Sequence, residues 1–156
     1  MTRYKRSAGV AALAVALVGG LEGVRTVAYY DPPRIPTICY GETRGVKMGD
    51  TATMAECKAM LDKSLAEFSG HIDKCLPASL PDAPYVAFLS AAYNIGPVAF
   101  CGSSMARKAS TGDVRGACDS LLLWDKVTIA GAKVRLPGLT KRRQEERALC
   151  LSGRLE

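Results

Sequence analysis

Histidine is almost absent from this chain of 156 residues, which contains only His71, and no two of its six cysteines are separated by two residues. Protein zinc sites are built from cysteine and histidine, usually with pairs of ligands at such short spacing. Zinc ligation is therefore poorly supported, and we predict that the protein holds no metal and needs no cofactor. His71 lies in a polar helical segment, and we assign it no role.

Aromatic residues are also scarce, at 6% of the chain, and no nucleic-acid-binding motif is present. The formal charge of +6 and the isoelectric point near 9.1 favour an acidic partner. Nucleic acid is one such partner, but the basic residues are scattered along the sequence. We predict a partner other than nucleic acid, although charge alone does not separate the two classes.

No apolar segment reaches the roughly 20 residues that a comfortable transmembrane helix needs. The segment at residues 7–21 carries no charge and is rich in Ala and Gly, and it follows the cationic residues Arg3, Lys5 and Arg6. A cationic segment followed by a short apolar one is typical of an export signal. The weak hydropathy of this segment predicts only marginal residence in a bilayer.

The six cysteines are spread through the rest of the chain, with none in the first twenty residues. An even number at wide spacing favours disulfides, which persist in an oxidising compartment such as the periplasm. Six cysteines allow 15 pairings, and the spacing alone does not choose among them.

Turn and capping residues divide the remaining chain into a hairpin and several helices, and its length predicts one domain. Two β-prone segments, 27–30 and 36–40, flank the turn formed by Asp31-Pro32-Pro33-Arg34. Thr53 and Glu56 have the spacing of a capping box, which opens a helix. The predicted helices run from Thr53 through Phe68, from Pro81 to Gly96, from Ser104 to Ala109, from Asp113 to Leu123 and from Thr140 to Leu151.

Glu22, Asp31 and Thr37 lie nine and then six positions apart, at a predicted helix end and on the adjoining hairpin. Two carboxyl groups facing each other across a groove suit glycosidic hydrolysis, which needs one protonated acid and one carboxylate. An apolar neighbourhood would keep Glu22 protonated, and the Thr37 hydroxyl could hold a water beside Asp31. In the alternative interpretation, Glu22 is a solvated helix end, Asp31 only caps a turn and Thr37 is an ordinary strand residue.

The spacing of these three residues resembles the catalytic triad of phage-type lysozymes, closest to lambdoid endolysins. Three further landmarks match that family in its order: TICYGETRG, SAAYNIGPVAFCGSS and GLTKRRQEERALC. The resemblance implies an α+β, mainly helical fold with two lobes. A small lobe contains a β-hairpin sheet, a long helix connects it to a larger helical lobe, and the glycan lies between. One departure is Glu42, where many relatives have His, and its effect on the other two acidic groups is left open.

The resemblance also implies substrate-binding residues and disulfides. Asn94 in YNIG would bond to a sugar, and Arg142 would steady carboxylates near the catalytic Glu. Trp124 is a candidate from its own context, because a Trp after a Leu run and before a Gly-rich turn can stack on a sugar face. Each has an ordinary alternative: a helix cap for Asn94, a core position for Trp124, and a solvated face or an ion pair with Glu145 and Glu146 for the cluster 141–143. The implied disulfides pair Cys39 with Cys57, Cys75 with Cys101 and Cys118 with Cys150.

Some endolysins of this kind are exported while tethered by an uncleaved signal-anchor-release segment. We predict such a segment at 1–20, followed by a catalytic domain at 21–156. The amino end would be cytoplasmic and the enzyme would be tethered at the periplasmic face of the host inner membrane, then free in the periplasm. The alternative is a signal peptide cleaved at Ala12-Leu13-Ala14 or Ala14-Val15-Ala16, but cleavage there would remove most of the helix that presents Glu22.

These features predict a monomeric muramidase that hydrolyses the β-1,4 bond between N-acetylmuramic acid and N-acetylglucosamine in peptidoglycan strands and so lyses the host. Two alternatives remain. A lytic transglycosylase would use the acid but not the water, which leaves Asp31 and Thr37 with little to do. A non-enzymatic, membrane-tethered wall-binding protein would not need the triad.

Overall fold

The structure is a computed structural model that describes residues 1–32 and 34–153. It is mainly helical with two small antiparallel sheets, which confirms the predicted fold class. The described elements are α1 (Arg3–Arg6), α2 (Ala8–Glu22), β1 (Arg25–Asp31), β2 (Ile35–Cys39), α3 (Met54–Ile72), α4 (Asp82–Ile95), α5 (Pro97–Cys101), α6 (Ser104–Ser110), α7 (Val114–Ser120), a 3₁₀ turn (Leu121–Leu123), β3 (Lys126–Ile129), β4 (Ala132–Arg135) and α8 (Pro137–Cys150).

The chain divides into two compact units, and the boundary between Glu67 and Phe68 falls within α3. Unit 1 comprises Met1 and Arg3–Glu67, and unit 2 comprises Thr2 and the chain from Phe68 onward. Each unit contains one hairpin, β1–β2 in unit 1 and β3–β4 in unit 2.

In unit 1, α2 begins where the Ser7 hydroxyl accepts a hydrogen bond from the Val10 amide (3.2 Å). The helix buries one stripe at four-residue spacing, Val10, Ala14 and Val18, each fully excluded from solvent. Gly23, at φ 71°, ends the helix directly after Glu22. The apolar amino-terminal segment is therefore a packed part of this unit.

Unit 1 also contains the predicted capping box. The Thr53 amide donates to Glu56 Oε1 (2.9 Å) and the Glu56 amide donates to Thr53 Oγ1 (3.0 Å), so the capping box satisfies two amide donors at the start of α3. The disulfide Cys39–Cys57 joins β2 to α3 and has the pairing that the resemblance implies.

In unit 2, α4 is buried along most of its length, from Ala83 to Ala92, and packs against α8. It ends as predicted at Gly96, whose φ of 97° favours glycine. The other two implied disulfides are also present. Cys75–Cys101 connects the segment after α3 to the end of α5, and Cys118–Cys150 joins α7 to α8.

Several predicted boundaries were wrong. The helix predicted at 113–123 is α-helical only over Val114–Ser120, with Asp113 as its cap, and tightens into a 3₁₀ turn at Leu121. The last helix begins at Pro137 rather than Thr140, because proline suits a first helical turn. The short elements α1 and α5 and the exposed β3–β4 hairpin were not predicted, since brief or solvated segments bury too little to leave a periodic pattern.

Within the described residues, no helix combines the length and apolar character needed to cross a membrane.

Candidate active site

Asp31 is placed at the tip of the unit 1 hairpin by a three-residue loop. It is the last residue of β1, pairs with Ile35 in register, and its carbonyl accepts a hydrogen bond from the Arg34 amide. Arg34 takes the left-handed conformation (φ 72°) that such loops need at their last position. Pro33, part of the predicted turn, lies outside the described residues. The Asp31 side chain is exposed, so its carboxylate is open to water.

Thr37 lies on the strand that faces Asp31. It is paired with Tyr29, two residues before Asp31, so Asp31 and Thr37 are diagonal neighbours on one face of the hairpin, close enough for long side chains to interact. Thr37 is only 1% exposed, and its hydroxyl donates to the Ile35 carbonyl (2.9 Å). Because its proton is used there, the Thr37 oxygen can serve another group only as an acceptor.

Glu22 is the last residue of α2 and is partly exposed, and Val24 leads directly into β1. The three residues of the predicted triad all lie in unit 1: Glu22 at the end of α2, Asp31 at the end of β1 and Thr37 within β2. Residues 22–37 thus carry two carboxyl groups, of Glu22 and Asp31, and the Thr37 hydroxyl, whose oxygen is left as an acceptor.

The sequence left open how Glu42 affects Glu22 and Asp31. The neighbours of Glu42 limit the effect of its charge on those groups. Its Oε1 accepts hydrogen bonds from the Thr43 and Arg44 amides (3.0 and 2.9 Å) and pairs with Arg44 Nε (3.3 Å). Partial burial opposes ionisation, but these bonds outweigh it and hold the pKa of Glu42 below its usual range. The third acidic group is thus an ionised turn residue whose charge is largely offset by Arg44.

In unit 2, Asn94 is exposed near the end of α4 and accepts a hydrogen bond at Oδ1 from Arg143 Nη2 (3.0 Å). Arg143 and Glu146 are fully buried, and Arg143 Nε lies 2.6 Å from Glu146 Oε1. Arg142, 7% exposed, pairs with the same carboxylate and donates to the Ser90 carbonyl (3.2 Å). Burial raises the pKa of Glu146, and the two guanidinium groups limit the rise.

The alternative of a solvated helix face was thus wrong for Arg142 and Arg143, and the ion pair with Glu146 is confirmed. The importance of Arg143 was missed, because a Lys-Arg-Arg run beside two Glu residues usually indicates a charged surface. The signal that could have found it is spacing, since Glu146 lies three residues after Arg143 and four after Arg142 on one helical face.

Trp124 follows the 3₁₀ turn and lines a cavity of about 520 Å³ in unit 2. Lys126, Lys133 and the hydroxyl residues Ser103 and Ser104 share its wall. An aromatic face beside cations and hydroxyls is a surface that suits a sugar with an acidic substituent. Trp124 is therefore partly accessible rather than a core residue.

Comparison with known proteins identifies the relatives of this chain. The family model described as phage lysozyme matches residues 19–146. The SAR-endolysin of Bacteriophage PS119 is 39% identical over 155 residues, which are 95% of this chain and 90% of that protein. The SAR-endolysin of Pseudomonas phage phiKMV is 42% identical over 144 residues, covering 90% and 89%.

Among solved structures, the muramidase domain of SpmX from Asticaccaulis excentricus superimposes with a TM-score of 0.85 at 27% identity, covering 90% of this chain and 95% of that one. The similarity therefore extends over both units and includes every residue of the predicted triad, since the family match begins at Gly19.

Proposed function

The chain belongs to the phage lysozyme family and is a glycoside hydrolase of the muramidase type, and from this premise we propose that Glu22, Asp31 and Thr37 are its catalytic residues. It is an endolysin that hydrolyses the β-1,4 bond between N-acetylmuramic acid and N-acetylglucosamine in peptidoglycan. The observation that carries the assignment is the placement of Asp31 and Thr37 on one face of a hairpin that follows Glu22 directly. The family match makes a non-enzymatic wall-binding role unnecessary.

In the proposed reaction, Glu22 donates its proton to the glycosidic oxygen as the bond to the leaving sugar breaks. Asp31 accepts a proton from a water that attacks the anomeric carbon from the opposite face, so the configuration inverts in a single displacement. After the step, the proton taken by Asp31 and the proton lost by Glu22 are exchanged with solvent, and both groups return to their starting states.

Thr37 orients the water in this scheme. Its proton is held by the Ile35 carbonyl, so its oxygen accepts one hydrogen of the water while Asp31 accepts the other. The lone pair of the water is then left to face the sugar.

The competing reaction is lytic transglycosylation, in which the 6-hydroxyl of the sugar replaces water. Mass spectrometry of digested strands separates the two, because hydrolysis leaves reducing ends and transglycosylation leaves 1,6-anhydro ends. We expect reducing ends, with the anomeric configuration inverted in NMR spectra taken early in the reaction. A majority of 1,6-anhydro ends would refute the roles of Asp31 and Thr37.

Substrate binding is assigned to unit 2. We propose that the exposed Asn94 bonds to the glycan and that Trp124, with its neighbouring lysines, receives a sugar or its acidic substituent. We assign Arg142 a supporting role, because its guanidinium bonds to Glu146, the partner of Arg143, and to the Ser90 carbonyl. Peptidoglycan stems carry carboxylates, which agrees with the basic charge of the chain.

We further propose that residues 1–20 tether the enzyme to the host inner membrane and are retained when it enters the periplasm as a monomer. The similarity to proteins named SAR-endolysins supports this, and so does the packing of the segment. Cleavage at either Ala site would remove Tyr4 and Val10, which are 2% and 0% exposed in unit 1. Amino-terminal sequencing of soluble periplasmic enzyme tests the proposal, and a uniform start at Val15 or Leu17 would refute it.

A further inference from the structure

We infer that Arg143 is a positioning residue that fixes the Asn94 carboxamide so that only its N–H groups face the substrate, which makes this position selective for the carbonyl oxygen of an N-acetyl group. The inference rests on the proposed binding role of Asn94 and adds the direction and chemical selectivity of that contact.

The orientation of the amide follows from the chemistry of its neighbour. The guanidinium of Arg143 has only donors, so the Asn94 atom that lies 3.0 Å from Arg143 Nη2 must be the oxygen. An amide turned the other way would place two sets of N–H groups against each other. Arg143 therefore fixes an orientation that an exposed asparagine would otherwise choose freely.

Arg143 is itself held in place by an ion pair with buried Glu146. Its Nε and Nη2 atoms contact the two oxygens of Glu146 at 2.6 and 3.2 Å, and both side chains are fully buried. The same carboxylate accepts the hydroxyl of buried Ser90 (2.6 Å) and pairs with Arg142 (3.3 Å). The Glu146 carboxylate is thus bound by residues of both α4 and α8. The planar guanidinium of Arg143 connects it to Asn94, and its contacts with Glu146 restrict rotation of the Arg143 side chain.

The fixed orientation of the Asn94 amide determines which ligand atom it can bind. Within the described part of the chain, no hydrogen bond uses the Asn94 Nδ2 group, and the residue is exposed. A group that presents donors alone favours an oxygen that only accepts. Sugar hydroxyls donate as well as accept, whereas the N-acetyl carbonyl accepts only, and removal of the acetyl group leaves an ammonium that only donates.

The decisive variant is Asn94→Asp, because it changes only the outward group. The new carboxylate keeps the bond from Arg143 as a charge-assisted one, and the cluster of two Arg and one Glu has a formal charge of +1 that a further carboxylate neutralises. Folding should therefore survive. On N-acetylated peptidoglycan we expect KM to rise about two- to tenfold with kcat within twofold, which is the loss of one neutral hydrogen bond.

The substrate supplies a second measurement that needs no variant. Wild type should prefer N-acetylated over chemically de-N-acetylated strands, and Asn94→Asp should weaken or reverse that preference, because its carboxylate attracts the free amine. Equal activity of wild type on both substrates would overturn the inference, and so would an Asn94→Asp enzyme with unchanged KM and preference.

Arg143→Lys tests the positioning role. Lysine can pair with Glu146 but lacks the planar fork, so Asn94 is released, and KM on N-acetylated strands should rise. Added to Asn94→Asp, which has no donor left to orient, the same substitution should raise KM no further, whereas independent effects would multiply. The matched control is Arg147→Lys, on the same helix but paired with Asp119, which should leave KM and preference unchanged.

Glu22→Gln distinguishes a failure of the catalytic assignment from a failure of the inference about Asn94. If it abolishes lysis while Asn94→Asp has no effect on KM or preference, the inference about Asn94 fails and the catalytic assignment remains. If Glu22→Gln retains activity and Asn94→Asp shifts the preference as expected, the catalytic assignment fails and the binding contact remains.

Discussion

The hydroxyl of Tyr4 donates a 2.6 Å hydrogen bond to Asp62 Oδ1 in α3, and the tyrosine is 2% exposed. Burial, followed by the bond to the carboxylate, raises the pKa of Tyr4 far above its usual value. Tyr4 therefore attaches the amino-terminal segment to the core of unit 1, while its neighbours Lys5 and Arg6 are exposed. Under the proposed tethering, a chain with its amino end across the membrane would lack this bond, and the bond would form only on release.

Tyr4→Phe removes the hydroxyl and keeps the ring, so it should lower the free energy of unfolding of the enzyme by about 1.5–3 kcal/mol, the range for a hydrogen bond to a charged group. Thermal or denaturant unfolding measures this. Tyr30→Phe, at an exposed tyrosine of unit 1, is the matched control and should change stability by less than about 0.5 kcal/mol. Equal stability of the two variants would show that the bond contributes nothing.

Glu22→Gln preserves the shape of the side chain but removes the proton that the leaving oxygen needs. Lytic activity should fall by at least about 10² to 10⁴, the usual contribution of general acid catalysis, without loss of folding. A turbidity assay on bacterial walls, with circular dichroism as the folding control, measures both. Lysis within tenfold of wild type would remove Glu22 from the mechanism.

Asp125 links three elements of unit 2 and should make stability depend on pH. Its carboxylate bonds to Lys126 (2.8 Å), Arg135 (3.0 Å) and Thr140 (3.1 Å), and the hydrogen bond from Lys126 contributes most to holding its pKa below the usual value. A depressed folded pKa means that the contribution is present above the unfolded value of about 3.9 and lost as pH falls through the folded one.

Asp125→Asn should therefore destabilise the protein clearly at pH 6 and much less at pH 2–3, as measured by denaturant unfolding at each pH. Asp119→Asn, which disrupts an exposed pair with Arg147, should give a smaller difference. A difference for Asp125→Asn that stays constant from pH 6 to pH 2 would rule out the linkage.

All six cysteines should be oxidised. Three disulfides remove two hydrogens each, so intact mass should increase by six hydrogens on reduction, and alkylation without reductant should label nothing. Replacing both Cys118 and Cys150 by Ala should cost about 2–5 kcal/mol, because the unfolded chain loses a long-range constraint. Labelling of Cys39 in the native enzyme would instead indicate a free thiol on the strand that carries Thr37.

The glycines of α2 allow the proposed tethering to be tested without disturbing the folded enzyme. A side chain at Gly20 would meet nothing within 4 Å, and one at Gly9 only the Ser7 hydroxyl at 3.9 Å, whereas Gly19 lies against Tyr40 and Leu61. Gly9→Leu with Gly20→Leu should make insertion more favourable by a fraction of a kcal/mol or more for each substitution, so more enzyme should stay in the membrane fraction.

Cell fractionation measures this distribution, and the purified double variant should retain its lytic activity. Gly19→Leu serves as the contrast, because it adds similar hydropathy but crowds Tyr40 and should destabilise the released form. A double variant released as completely as wild type would argue against a marginal membrane equilibrium.

Sequence alone determined the features that depend on local chemistry. The capping box at Thr53 and Glu56, the stop at Gly96 and the hairpin around Asp31 were all predictable, because caps and turns are set by residues three or four positions apart. The triad spacing and the implied disulfide pairs came from the family resemblance, since the 15 pairings of six cysteines are indistinguishable by spacing.

Tertiary structure decided what depends on partners distant in sequence. The sequence suggests a surface cation at Arg143, but α4 supplies Asn94, which accepts a hydrogen bond from it, and Ser90, which bonds to its partner Glu146. The sequence likewise places Tyr4 in a cationic leader, but Asp62 accepts a hydrogen bond from its hydroxyl. In both cases a polar side chain is buried only because a remote group satisfies it, and local sequence contains no information on that group. The sequence therefore determined which chemistry this protein carries, and the packing of distant residues decided how those groups are oriented.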